Sequence, residues 1–414
     1  MERLSGIKGI GGEIKKTAED FIVEEITKSG KVLALGETCT PEDLNMHSAQ
    51  DGKFSLFVLQ KKDWNTIQAL SEVAKRTRRS IRSVGFAGTK DRTAISTQLC
   101  SIFGVKPSEL AKIHIKDISI NGIWESSEGI KLGDLLGNRF TIKICDAENP
   151  GMIDEINSGL SGIFPNYFGE QRFGSRCDNV QIGASILQGD FEKAAMLFLT
   201  DTQNESNELA IEARKRLAEE HDFRKALQFF PPYLRYERIM LEYLSEWPSD
   251  YCTAFRRLPR QLLLMFGHSV EAYIFNKELG IRVENKETGP SIDDYVCLPD
   301  KFGFPNTDYI LRSQEAPDKK FFIVGNIVGF ETKLLTDFEA SLLESMGISK
   351  DDFKVKRMPE LNMKGSRRVL FAPYLDFSSN AENTRIKDIV LKFSLPAGSY
   401  ATVLLDEFMT SSNG

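Results

Sequence analysis

A chain of 414 residues is longer than one hydrophobic core usually serves, so two domains are expected, and 41% hydrophobic residues suffice to fill them. A net charge of −6, with 27% charged residues, describes an ordinary soluble surface and excludes a uniformly basic coat for nucleic acid. Contact with a polyanion must therefore come from local patches.

The first predicted elements lie in Gly11 to Ile26 (GGEIKKTAEDFIVEEI), which reads as a short strand, a polar turn and a second strand. In that second strand Phe21, Val23 and Glu25 share one face, and composition alone makes Phe21 a core residue. Phe54 to Leu59 is a strand. Asp63 or Asn65 can cap a helix running to Arg76, with Ile67, Leu70, Val73 and Ala74 on one side. That helix delivers the densest basic run of the chain, Lys75 to Arg82 (KRTRRSIR).

Phe86 to Gln98 (FAGTKDRTAISTQ) follows. Gly85 and Gly88 supply a permissive loop backbone, and Asp91 stands between Lys90 and Arg92. Neighbouring cations favour the ionised form of a carboxylate, and a carboxylate beside a basic run suits chemistry on a polyanion. By composition alone the same loop is an ordinary solvated turn. It is no phosphate-binding loop, because Lys90 follows Thr89 and an acid stands where the hydroxyl belongs. A strand from Ala94 to Phe103 comes next, then Lys131 to Cys145 as a strand hairpin turning at Gly137-Asn138, and a helix from Met152 to Leu160.

Pro165 to Gly174 (PNYFGEQRFG) packs three aromatics, two glycines, an Asn, a Gln and an Arg into ten residues. It is neither an amphipathic helix nor an alternating strand, and its aromatics and amides suit stacking on bases as well as they suit a core turn. Residues 180–228 are helix-rich, Pro231-Pro232 interrupts them, and helices resume from Tyr233 to about Leu279. Short strands are expected between Pro290 and Lys333 and a helix from Asp337 to Met346. The strands Arg368 to Ala372, Ile389 to Leu395 and Tyr400 to Leu405 close the chain. The pattern is a β-containing N-terminal half whose missing strands return at the C-terminus, with a helical block inserted between.

Six cysteines, at 39, 100, 145, 177, 252 and 297, form no CxxC pair, and His47, His114, His221 and His268 are equally scattered. No metal is expected and no cofactor. Without an apolar leader or a membrane-length run, the expectation is a cytoplasmic protein with reduced thiols. Two weaker basic groups, Arg256, Arg257 and Arg260, and Lys364, Arg367 and Arg368, read as solvated faces.

FAGTKDRTAISTQ, PNYFGEQRFG, SLPAGSYATVLL and the KKTAEDFIVEE near the start span Lys15 to Leu405, and together they resemble the TruD family of tRNA pseudouridine synthases. The resemblance implies an α+β fold, in which a catalytic domain on a mixed, largely antiparallel sheet receives a helix-rich α+β insertion. The implied boundaries are 1–172 and 366–414 for the catalytic domain and 173–365 for the insertion. It implies isomerisation of a tRNA uridine, expected at position 13 in the D arm, to pseudouridine.

Carried over residue by residue, Asp91 falls on the catalytic aspartate and Lys15 on the lysine of the N-terminal motif. Phe21, Asn166, Phe168 and Tyr400 fall on substrate-pocket positions. Asp91 then acts as a nucleophile on ribose or as a base, and Lys15 pairs with Asp91 or with phosphate; the sequence leaves both choices open. Asn166 suits either a base-edge or a loop-positioning hydrogen bond. Lys75, Arg76, Arg78, Arg79, Arg82, Lys90 and Arg92 are the expected contacts to the tRNA backbone. Asp406 departs from the family, which has Arg there, as does Glu271 in the segment HSVEAYIFN. The rival reading is a non-catalytic RNA-binding protein on the same fold, and the retained Asp91 argues against it.

Overall fold

The computed structural model describes residues 1–49, 51–316, 320–380 and 387–410. Six strands come from the first third of the chain: β1 (Phe21–Thr27), β2 (Phe54–Lys62), β3 (Val84–Phe86), β4 (Ile95–Phe103), β5 (Ile118–Ser126) and β6 (Leu135–Ile144). After β7 (Ile163–Pro165) the chain turns helical, and β8 (Tyr295–Pro299), β9 (Pro305–Arg312), β10 (Phe322–Ile327) and β11 (Ser366–Val369) appear only beyond residue 294. Last come β12 (Phe371–Pro373), β13 (Leu375–Ser379) and β14 (Ile389–Pro396).

The main sheet has eight strands in the order β13-β14-β6-β1-β4-β2-β5, with β3 added to β4. Within it β1 pairs with β4 in parallel and the other pairings are antiparallel, which is the mixed, largely antiparallel α+β fold expected. The C-terminal strands do return to it: β14 runs beside β6 from Ile389↔Ile144 to Pro396↔Gly137. The alternation in β14 explains the docking, since Ile389, Leu391, Phe393 and Leu395 are all buried while Lys392 is exposed.

Helices between Asn179 and Arg256 wrap a separate core that runs from Ile182 to Met363. The helix Arg260–Glu284 belongs to both cores: Leu263, Phe266, Val270 and Ile274 face the helical one, and Phe275, Leu279 and Val283 face the sheet. A second sheet, β11-β10-β8-β9, and the pair β12/β7 complete the fold.

Three local expectations are corrected. Gly137-Asn138 is not a turn but the interior of the single strand β6. A Cβ on Gly137 would stand 2.1 Å from the Leu395 carbonyl oxygen, so the glycine serves close strand approach rather than a reversal. Tyr400 to Leu405 is not a strand; the helix Ala401–Met409 begins there, burying Ala401, Leu404, Leu405 and Phe408 at helical spacing. The expected strand Arg368 to Ala372 is split at Leu370 between β11 and β12, which belong to different sheets. The helix Thr66–Arg76 is as expected, and Asn65 rather than Asp63 caps it, accepting from the Gln68 amide at 2.8 Å.

Candidate active site

On one side of β4, β3 pairs with residues 100–102 and β1 with residues 95–97. The connection from β3 to β4, residues 87–94, must therefore pass the start of β1, and this brings the segment before β1 against Asp91. Lys15 takes a left-handed backbone conformation (φ 60°), uncommon for a side chain of its kind. Its ammonium lies 2.6 Å from Asp91 Oδ2 and 4.2 Å above the Phe21 ring centroid. The Asp91 carboxylate keeps 56% of its side-chain surface open. Phe21 is buried and packs edge-on against Phe140, so it forms a floor beneath Lys15 rather than an open stacking face.

The Asp91 loop is fastened along its length. Gln98 Nε2 donates to Gly88 O at 3.1 Å, and Thr66 Oγ1 accepts from the Lys90 amide at 2.8 Å while donating to Gln98 Oε1 at 2.9 Å. Lys61 Nζ donates to the Asp91 carbonyl at 2.8 Å. Lys90 corrects an expectation: it is buried, and its ammonium donates to buried Glu25 at 2.9 Å. It anchors the loop and presents no charge to a phosphate. Burying a charge is tolerable only with such a partner.

The motif Asn166–Phe168 is built just after β7. Asn166 is buried; its amide donates to Leu370 O at 2.8 Å and its Nδ2 to Val369 O at 3.0 Å. Arg368 donates from Nη2 to Asn166 Oδ1 at 2.7 Å and to the Asn166 carbonyl at 3.0 Å, and from Nη1 to Gly398 O at 2.8 Å. The side chain of Asn166 is thus used for positioning the loop. Asn276 grips the backbone of Phe168 in both directions, accepting its N–H at 2.8 Å and donating to its carbonyl at 2.9 Å. The half-buried Phe168 ring meets Phe275 edge-on at 5.5 Å, with Arg368 4.4 Å and Arg172 5.4 Å from its centroid. Tyr400, 37% exposed, completes the group 5.9 Å from Arg368. Burial lowers the Arg368 pKa to about 10, which leaves it charged at neutral pH.

A cavity of about 340 Å³ opens between the main sheet and the second sheet, lined by Leu135, Asn166, Phe168, Phe304, Arg368 and Ser399 among others. Leu135 of that lining also lies about 4.0 Å from where a Cβ on Gly88 would stand, so the cavity extends toward the start of the Asp91 loop. Asp91, Lys15 and Phe21 thus form one contacting group, and Asn166, Phe168 and Tyr400 meet around Arg368 in another; of these six residues only Asn166 and Phe168 line the cavity. Lys75, Arg76, Arg78, Arg79, Arg82 and Arg92 are exposed. Among the described residues there is no cluster of His, Cys, Asp and Glu able to hold a metal, and no helix is long and apolar enough to cross a membrane.

Sequence reasoning missed Asn276 and Glu25 and misread Arg368 as part of a solvated patch. A basic residue in a basic run gives no local sign of burial. Asn276 carried one signal, its place at the end of a family-like helix segment.

A family model for tRNA pseudouridine synthase D (TruD) matches residues 2–408. The chain belongs to the TruD family of tRNA pseudouridine synthases. A Methanosarcina acetivorans relative carrying the name probable tRNA pseudouridine synthase D is 34% identical over 97% of this chain and 93% of its own length. A Thermococcus sibiricus relative of the same name is 34% identical over 98% and 96%. A crystal structure assigned to tRNA pseudouridine synthase D (TruD) of Methanosarcina mazei superposes with a TM-score of 0.77 at 31% identity, covering 98% of this chain and 95% of that one. Family membership makes the protein an isomerase that converts a uridine of tRNA to pseudouridine.

Proposed function

We propose that Asp91 is the carboxylate that carries this isomerisation, that the target is uridine 13 in the D arm, and that the reaction takes place in the cytoplasm. The observation that supports the assignment is an exposed carboxylate ion-paired to Lys15 at 2.6 Å on a loop otherwise pinned to the sheet. Uracil must leave its nitrogen, rotate and rejoin through carbon, without hydrolysis or net redox change. An ionised carboxylate serves this as a nucleophile on ribose or as a base that takes a proton. Both routes need it fixed, and Lys15 and the pinned loop fix it.

A stacked uridine cannot be reached within the tRNA, so it is flipped into the site, where Phe168 lines the cavity and the partly exposed Tyr400, 5.9 Å from Arg368, offers a second ring surface. Phe21 contributes by supporting Lys15. The exposed cations from Lys75 to Arg82, with Arg92, bind the phosphate backbone. On the same reading residues 173–365 form the domain inserted between 1–172 and 366–414, with the helix Arg260–Glu284 mortising it into the catalytic core.

The test is pseudouridine mapping in tRNA treated with wild type and with Asp91→Asn. Modification at position 13 by wild type and none by the variant is expected. Modification elsewhere, or a variant retaining more than roughly a tenth of the rate (about 1.4 kcal/mol in barrier), overturns the proposal.

A further inference from the structure

Residues 60–62 of β2 read Gln-Lys-Lys, and the pleat sends the two lysines opposite ways. Lys62 reaches solvent and pairs with Glu19. Lys61 has no exposed surface at all. Its ammonium donates to the carbonyls of Trp64 at 2.6 Å and of Asp91 at 2.8 Å, and among the described residues it forms no ion pair. A buried ammonium without a counter-ion is costly, and an apolar chain of the same length would avoid the cost. What the lysine adds is a donor aimed at the main chain of Asp91.

We propose that Lys61 is a positioning residue for the isomerisation: it fixes the Asp91 backbone from within the sheet while Lys15 holds the Asp91 carboxylate from the solvent side. The inference rests on Asp91 being the reacting carboxylate. Two grips on one residue, at its carbonyl and its Oδ2, leave the carboxylate little freedom to turn from the reacting ribose.

The surroundings make the role visible to pH. Asp91 and Lys90 of the loop and Cys100 of β4 face Lys61, with Glu25 of β1 paired to Lys90 behind them. Burial first, and Lys90 after it, pull the Lys61 pKa down to about 8 against the opposing pull of Asp91. The Cys100 thiol is fully buried and pushed well up, so it stays neutral where Lys61 titrates. Above pH 8 the neutral amine loses the charge assistance of its hydrogen bonds to the two carbonyls, so its grip on the Asp91 backbone loosens as the positive charge beside Asp91 goes.

The experiment compares Lys61→Met with wild type by single-turnover rate on tRNA from pH 6 to 9, tRNA affinity and thermal melting, with Asp91→Asn assayed alongside. Expected is a rate per folded molecule at least tenfold lower at neutral pH, affinity within about twofold, and no fall in melting temperature. The decline in wild-type rate as pH passes about 8 should be absent from the variant. If Lys61→Met does not fold, Lys61→Gln is held to the same criteria. A rate within threefold of wild type, a loss that follows only the folded fraction, or a retained decline near pH 8 overturns the proposal. An active Asp91→Asn would instead overturn the assignment beneath it, so the two failures are distinct.

Discussion

Arg368 and Asn166 are locked together by three hydrogen bonds, with Nη2 2.7 Å from Oδ1 and 3.0 Å from the backbone oxygen and Nε 3.1 Å from that same oxygen, although 202 residues separate them in the chain. The same guanidinium reaches Gly398 in the turn before Tyr400. One half-buried cation thus joins the Asn166–Phe168 segment, β11 and the Gly398–Tyr400 turn. A lysine has neither the fork nor the planar face needed to hold all three.

Arg368→Lys should therefore lose roughly two charge-assisted hydrogen bonds, at about 1.5–3 kcal/mol each. Turnover should fall more than tenfold and the melting temperature by several degrees. Melting curves and pseudouridine formation on the same samples check both.

Phe168→Ala separates ring from frame. Asn276 holds the Phe168 backbone and the ring is only half-buried, so the loss of stability should be smaller than the roughly 3–5 kcal/mol of a core aromatic. Substrate stabilisation should drop by about 1–3 kcal/mol if the ring stacks on the flipped uracil. Phe168→Tyr keeps the stacking face and should retain turnover. A large melting-temperature loss with normal turnover per folded molecule would move Phe168 out of the site.

The basic run can be read by salt. Arg76, Arg78 and Arg79 are exposed at the end of the helix Thr66–Arg76 and beyond it; Arg76 pairs with Glu72 and Arg79 donates to Gly104 O. Replacing all three by alanine should weaken tRNA binding and reduce the log–log salt slope by about 0.7–0.9 for each phosphate no longer neutralised. Titrations at several salt concentrations measure it, and an unchanged slope would make the run a solvated helix end.

Asp406 is an exposed residue of the C-terminal helix, yet partial desolvation first and then Glu170 push its carboxyl up to about 6. The folded chain holds this proton more tightly than the unfolded one, so stability is lost as pH rises from about 4 to about 6 and is level above. Asp406→Asn should accordingly melt above wild type at pH 7.5 and converge with it near pH 4. Partial exposure should keep the difference to roughly 1 kcal/mol or less. Melting temperatures across that range decide it.

Local sequence was enough wherever a residue's role depends on its immediate neighbours. The alternation of Ile389, Leu391, Phe393 and Leu395 announces a half-buried strand, and Asn65 followed by a periodic apolar face announces a capped helix. The motifs around Asp91 and Asn166 declared the family and the candidate chemistry in the same way. Glycine and arginine were ambiguous because their meaning lies in what approaches them. Gly137 has turn composition, and only the arrival of β14 from the far end of the chain, in register at Leu395, makes it a point of close strand approach. Arg368, Lys90 and Lys61 look like surface cations in sequence, since one letter serves a solvated charge and a buried one alike. Folding brings Asn166 to the first, Glu25 to the second and the Asp91 carbonyl to the third. Each of those partners comes from a distant strand or loop, so desolvation and pairing were decided together, by tertiary structure alone.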